Sequence, residues 1–558
     1  MSPNHGNVPP QFTETASTSR RNFLRLAVGA GAAVALAACT HDRSATFNAP
    51  PSGQAAASAG PSASEGVGSK ERALDEAFLG QVADSLLAQG EPSHGGLRFR
   101  SEIQPGHYQT DQDVGAASVG RGFLAMAAKY PDDPKWNGAA VKAADWLLAV
   151  GKKDNQGRSY WPDFVNDNET SSSLYASYDD GTLGVGDYLY EVFEATGDEK
   201  YKEAALSSLE WTFAHAELSA RNGQEAFRWK WNIHGKSDDE ESNYKTGMGM
   251  GEVGMVHTFA TYYERLKESD PQLAAKCKRY IDGTLRHLDN VKRALGGSDG
   301  DARALPESSV KGEAGGTAMN SGYLSGAAGE AFMNLKLYRV FGDKKYLEQA
   351  NKTFSWLENS ETGPLVHVGE DAVAWKLAID PQRGDDDALA NGFEEGSAGI
   401  GWVYTQAYKI TGNTHYLDMA KKAANGLDAV KIEKDGQYSW REAQNSDSDY
   451  VHANLNNGAA GIGMFLEDLA QAGGGDKYHQ MAGGALKFLQ ASAKKDANGN
   501  VYWTDNGGEA DYNNDPSWHW GKAGIIAFMA RMTGGTYDVA GEQPALQKRQ
   551  ARNHFKVY

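Results

Sequence analysis

Two cysteines, Cys39 and Cys277, are all that 558 residues provide. That excludes a disulfide framework and any metal site built from cysteines alone. Long apolar runs are missing too. The stretch from Leu26 to Ala38 is too short for a comfortable membrane span. Positive charge is the minority: 55 Lys and Arg stand against 73 Asp and Glu, a formal charge of −18. A polyanionic partner such as nucleic acid is excluded on that balance, and a neutral or cationic ligand is favoured. Glycine (65 residues) and tryptophan (13) are what the chain has in quantity.

The first residues read as an address. Ser19-Arg20-Arg21-Asn22-Phe23-Leu24-Arg25 has the form of a twin-arginine export signal, and the apolar run after it ends in Leu36-Ala37-Ala38-Cys39, the form of a lipoprotein box. The expectation is a signal peptide over 1–38, lipidation at Cys39 and an extracytoplasmic protein touching the membrane through that lipid only. Cutting without lipidation is the alternative. Residues 39–69, rich in Ala, Ser, Gly and Pro, are read as a tether. Residues 70–535 form the folded domain and 536–558 a solvated basic tail. Cys277 lies in a helical pattern and is expected to be a buried, inert thiol.

The folded part repeats itself. Gly-x-x-Gly recurs at Gly181/Gly184, Gly251/Gly254, Gly326/Gly329, Gly396/Gly399, Gly458/Gly461 and Gly521/Gly524, with Gly115-Ala-Ala-Ser118 as a degenerate seventh copy. First glycines are 62 to 75 residues apart, a spacing that signals stacked supersecondary units. Each element opens an apolar helical pattern. Most of these end in a second phrase, as in Thr196-Gly-Asp-Glu-Lys-Tyr201 and Phe341-Gly-Asp-Lys-Lys-Tyr346, where Gly stops one helix and Asp caps the next. A more polar amphipathic helix follows. With an extra helix from about Lys70 to Ala88, the count is seven inner and seven outer helices: an all-α (α/α)7 toroid. An open solenoid is the structural alternative. Asp435-Gly-Gln-Tyr438-Ser-Trp440 and its kin read as tight turns into short β-hairpins. Glycines at the inner-helix starts are expected to let backbones crowd together at the ring's centre.

At the seven glycine elements the chain resembles the lanthionine synthetase C-like family over roughly residues 70–535. The resemblance implies a ring of seven inner and seven outer helices. It also implies a catalytic zinc held by two Cys and one His just before the last two elements. The matching phrases here are Leu455-Asn456-Asn457-Gly458 and His519-Trp520-Gly521. Asn456 and His519 stand in the cysteine places and Trp520 in the histidine place, so zinc-dependent thioether chemistry is not expected. No metal and no cofactor are assigned.

Hairpin geometry puts every inner-helix N-terminus on one face, where a pocket is expected. The two residues before each first glycine line that rim: Asp113-Val114, Asp179-Asp180, Gly249-Met250, Leu324-Ser325, Glu394-Glu395, Asn456-Asn457 and His519-Trp520. Asp111, Asp447, Asp449, Asp511 and Asp515 lie near it in sequence. Trp161, Trp229, Trp440, Trp503 and Trp520 supply indoles from the turn phrases and rim. Indole faces stack on sugar C–H faces, and carboxylates accept from hydroxyls. Paired acids in unlike environments support glycoside hydrolysis. The expected enzyme acts on a carbohydrate or other small neutral substrate, with Asp179 or Asp180 paired with Glu394 or Glu395. Asp113 and His519 are secondary catalytic candidates; the five tryptophans, Asn456 and Asn457 are candidate substrate contacts. The alternatives are a non-catalytic glycan- or peptide-binding lipoprotein, a lyase using Tyr450, His452, Asn454 or His519, and residual thioether chemistry. For a single rim acid, helix N-capping is the structural alternative.

Overall fold

The computed structural model describes residues 68–102, 106–219, 223–233, 244–294, 305, 317–381, 384–447, 450–504 and 514–537. The twin-arginine stretch, Cys39, the tether up to residue 67, Asp449, Asp511 and the tail beyond residue 537 lie outside the described residues.

Helix α1 (Gly68–Ala88) precedes six helical hairpins and a final single helix. The hairpins pair α2 (Ala116–Lys129) with α3 (Pro134–Val150), α4 (Thr182–Thr196) with α5 (Glu199–Ala214), and α6 (Glu252–Leu266) with α7 (Pro271–Ala294). Then come α8 (Ala327–Phe341) with α9 (Lys344–Leu357), α10 (Ser397–Thr411) with α11 (Thr414–Val430), and α12 (Ala459–Leu469) with α13 (Asp476–Ser492). Helix α14 (Lys522–Met532) packs on α12, on α2 and on α1, so the last repeat meets the first. The seven inner and seven outer helices form a closed ring rather than an open solenoid. Among the described residues, seven two-stranded antiparallel pairs decorate it. Asp435 and Gly436 both have positive φ in the turn between Ile432–Lys434 and Gln437–Ser439, as the Asp-Gly phrase requires.

Local chemistry sets the hairpins. Asp198, Asp343 and Asn413 cap outer helices by accepting from the backbone N–H two residues on, and Gly197, Gly342 and Gly412 end the preceding inner helices in the left-handed region. The matching phrase Gly473-Gly-Gly-Asp-Lys-Tyr478 differs: a π-type turn over Ala470–Gly474 intervenes, and Asp476 falls inside α13 rather than at its cap.

The glycine pairs are needed for a reason the sequence did not suggest. A Cβ on Gly399 would lie 1.8 Å from the Phe393 carbonyl oxygen, six residues earlier in its own loop. The crowding is between each inner helix and the loop that folds back over its start. In the degenerate copy Ser118 takes this place; its hydroxyl donates to the Asp113 carbonyl at 3.0 Å and receives the Trp518 N–H at 2.6 Å, joining repeat seven to repeat one.

Four of the five tryptophans expected as sugar platforms are core residues. Trp161, Trp229, Trp440 and Trp503 are between 1 % and 3 % exposed. Their indole N–H groups donate to Leu147, Thr212, Leu427 and Leu489 carbonyls near the ends of the preceding outer helices, at 2.7 to 2.8 Å. Trp375 does the same to Leu357 at 2.8 Å. Each thus adds a side-chain donor to the carbonyls at a helix end, alongside the Gly151 and His215 N–H groups in the case of Leu147 and Thr212. No ring face remains for a substrate.

Cys277 is fully buried in α7, and burial pushes its thiol up to about 12. Tyr537, read from sequence as tail, is buried against Trp518 and donates to Glu191 at 2.9 Å, so the ring extends at least that far.

Candidate active site

Six backbone hydrogen bonds run round the inner-helix N-terminal face. Gln112 donates to Asp179 (2.9 Å), Asp179 to Gly249 (2.9 Å), Gly249 to Leu324 (3.1 Å), Leu324 to Glu394 (2.8 Å), Glu394 to Asn456 (3.2 Å) and Asn456 to His519 (2.9 Å). Apart from Gln112, every member is the residue two before a first glycine. The loops are thus locked to one another in a single register.

Three of those residues meet. His519 Nδ1 hydrogen-bonds to Glu394 Oε1, and its Nε2 lies 3.2 Å from Asp179 Oδ1. Repeats two, five and seven converge on one imidazole. Asp113 from repeat one joins them: ligand atoms of Asp113, Asp179 and His519 all lie within 4.8 Å of one another. His519 is the most accessible of the bridged trio, its side chain 15 % exposed against 7 % for Glu394 and 3 % for Asp179. Approach from solvent is therefore past the imidazole.

Of the two doubled acids, only the first member of each reaches this cluster. Asp180 accepts the Trp231 indole N–H at 3.0 Å, and Glu395 accepts the Ser325 hydroxyl. Of the pairings expected between the doubled acids, the one bridged by His519 is Asp179 with Glu394. Trp520 borders the cluster, its indole donating to Asp113 at 3.2 Å.

Two neighbouring acids are spent on loop bonds. Asp111 Oδ1 accepts the Val114 and Gly115 N–H groups at 2.9 Å each. Asp515 accepts from Ser517 N–H, Ser101 Oγ and Glu102 N–H, tying the last loop to the first. The inner helices themselves carry glycine at the N-cap and no side-chain cap. Asp113, Asp179 and Glu394 are not caps. Asn456 is buried with its backbone in the ring of hydrogen bonds, while Asn457 reaches Glu442 at 3.5 Å. Tyr450 is exposed, and Asn454 accepts the Asn457 N–H.

Electrostatics follow from burial. Loss of solvent raises the Glu394 carboxyl above its usual range, against the pull of His519. Burial alone would weaken His519 as a base, but Glu394 and then Asp179 overcome it and hold the ring protonated well above its ordinary value. The cluster stores a proton between two carboxyl groups. A separate cavity of about 320 Å³ is lined by Asn391, Val430, Ile432, Arg441, Ala443 and Gln444, none of them a predicted acid.

A closed ring of seven helical hairpins, carrying an acid–imidazole–acid cluster at the inner-helix N-termini, defines the class: an (α/α) toroid protein. Residues 317–550 match the family model described as Lanthionine synthetase C-like protein. Among solved structures, a sugar epimerase from a ruminal bacterium is similar at 11 % identity and TM-score 0.48, covering 83 % of this chain and 99 % of that one. Nisin cyclase is similar at 11 % identity and TM-score 0.45, covering 83 % and 93 %. A GH76 α-mannanase of Bacteroides thetaiotaomicron is similar at 11 % identity and TM-score 0.41, covering 82 % and 95 %. These likenesses concern chain path and assign no residue. No curated protein matches by sequence.

Proposed function

We propose that the chain is an acid–base enzyme acting on a neutral carbohydrate, hydrolysing a glycosidic bond. One observation carries the reading: Asp179, His519 and Glu394, far apart in sequence, meet with the imidazole between the two carboxyl groups on the face where the inner helices begin. Buried Glu394, its carboxyl raised, with protonated His519 supplies the general acid. Asp179 is the facing carboxylate that accepts charge or activates water. The acidity of the whole chain favours a neutral substrate over a polyanion. The N-terminal phrases, outside the described residues, place this enzyme in our reading as an exported lipoprotein anchored through Cys39.

The family resemblance implies zinc, and the residues at its matched positions do not fit it. Both ring nitrogens of His519 face carboxylates, the Trp520 N–H is a donor spent on Asp113, and Asn456 offers an amide. No step is routed through that metal.

A second reading has one observation in its favour. The two carboxyl groups are bridged by the imidazole itself rather than separated by an open gap. That is a proton relay, suited to moving a proton on or off a sugar carbon. Incubation with a panel of neutral oligosaccharides in deuterated water separates the readings. New reducing ends support hydrolysis, and deuterium at carbon without new ends supports proton transfer. Neither product, from a folded sample, sinks the proposal.

A further inference from the structure

Five buried tryptophans, Trp161, Trp229, Trp375, Trp440 and Trp503, spend their N–H on helix carbonyls, and buried Trp402 donates to the Asp468 carboxylate inside the core. Two others do neither. Trp231 donates to Asp180 at 3.0 Å and Trp520 donates to Asp113 at 3.2 Å, and both indoles are partly exposed. Each sits one carboxylate away from the acid–base cluster: Asp180 follows Asp179, and Asp113 is itself within 4.8 Å of Asp179 and His519. We infer that Trp231 and Trp520 form a sugar-ring slot beside the Asp179–His519–Glu394 cluster, with Asp180 and Asp113 as the positioning residues that hold the indoles. This rests on the glycan reading above and deepens it.

The physical case has three parts. First, a carboxylate on the indole N–H gives a charge-assisted hydrogen bond that fixes the ring's rotation, so little freedom is lost when substrate arrives. Second, the same negative charge at the ring edge pushes electron density onto the indole, and an electron-rich face attracts the weakly positive C–H hydrogens of a pyranose. Third, Tyr175 packs against Trp231, ring centroids 4.9 Å apart and planes inclined by 31°, backing that indole from one side. Together these explain why the second member of the doubled acid, Asp180, is itself an acid although it takes no part in the proton cluster. The ligand is a neutral pyranoside with a continuous C–H face.

The test uses the full chain carrying Glu394→Gln, so that binding is read without turnover. The probes are methyl glycosides of glucose, mannose, galactose and N-acetylglucosamine, with sorbitol as an open-chain polyol lacking a ring face. The expected result is saturable binding of at least one methyl glycoside and none of sorbitol. Trp231→Ala and Trp520→Ala each weaken that binding by about tenfold. Asp180→Leu weakens it similarly, while Asp180→Asn, which keeps an acceptor for the indole, recovers most of the loss. Unaltered affinity in both folded tryptophan variants overturns the slot. So does tighter binding of sorbitol than of any glycoside. Glycan turnover with unchanged KM in Trp231→Ala and Trp520→Ala also removes the slot while leaving the acid–base reading standing. Absence of turnover by the unmodified chain removes the acid–base reading instead.

Discussion

His519 Nε2 lies 3.2 Å from Asp179 Oδ1, a contact that brings the seventh repeat onto the second. With Glu394 on the other ring nitrogen, the imidazole is held between two acids that no local sequence window contains. Asp179→Asn, Glu394→Gln and His519→Gln should each lower turnover by about 10²- to 10⁴-fold, the usual range for a proton-transfer group. Circular dichroism and melting temperature should show an intact fold. Rates within twofold of the parent in all three variants would remove the cluster from the mechanism.

Zinc gives a separate check. Purified protein, dialysed against buffer and measured by elemental analysis, should contain far less than one zinc per chain. Chelator should leave turnover unchanged. Stoichiometric zinc that resists dialysis would mean that Asp113, Asp179 and His519, whose ligand atoms cluster within 4.8 Å, serve as a metal site instead.

The glycines make opposite predictions at two positions. Gly399→Ala puts a Cβ 1.8 Å from the Phe393 carbonyl, so the loop bearing Glu394 must shift. The expected cost is about 2 kcal/mol or more, with loss of activity. Gly138→Ala, in the interior of α3 with no atom within 4 Å of the new Cβ, should stabilise by about 0.5–1 kcal/mol. Denaturant titration of the two variants reads both; equal effects would contradict the loop argument.

Lys522 supplies a pH dependence. Burial lowers its ammonium to about 8 from an ordinary 10.5, against the pull of Asp515. The unfolded chain binds a proton there between about pH 8 and 10.5 that the folded chain does not. Stability from this group therefore rises as pH climbs through that window and is lost as pH falls through it. Relative to Lys522→Met, the parent should gain on the order of 2–3 kcal/mol from pH 8 to 10.5. Parallel stability curves for the two proteins would refute the shift.

Trp440→Phe should cost about 1–3 kcal/mol, because the Leu427 carbonyl loses its donor and the core loses volume. Sugar affinity should not change. A drop in affinity without loss of stability would return Trp440 to the substrate site.

The architecture was legible because it repeats. Glycine pairs, Gly-Asp helix junctions and Asp-Gly turns are local signals, and Gly412 with Asn413 shows one read correctly, an αL stop followed by a side-chain cap. The site was legible only by address. The residues two before each glycine could be named, but which member of Asp179-Asp180 or Glu394-Glu395 faces the axis depends on loop register, set by hydrogen bonds to neighbouring repeats. The tryptophans misled for a related reason. An indole one strand past a helix serves equally as a platform or as a donor to that helix's last carbonyls, and only packing decides. Trp231 and Trp440 both follow outer helices, yet one is partly exposed on a carboxylate and the other is sealed in the core. The useful signal was present in His519, which stands at the same phase as Asp179 and Glu394.

The six-bond circuit through the loops has an implication for how the protein comes to life. Because each loop is clasped by the next and the final helix must dock on the first pair, no subset of hairpins owns a complete proton store. The segment matched to the lanthionine synthetase C-like model, 317–550, carries Glu394 and His519 but neither Asp179 nor Asp113. Half a ring holds half of the cluster, which is complete only when the final helix docks on the first pair.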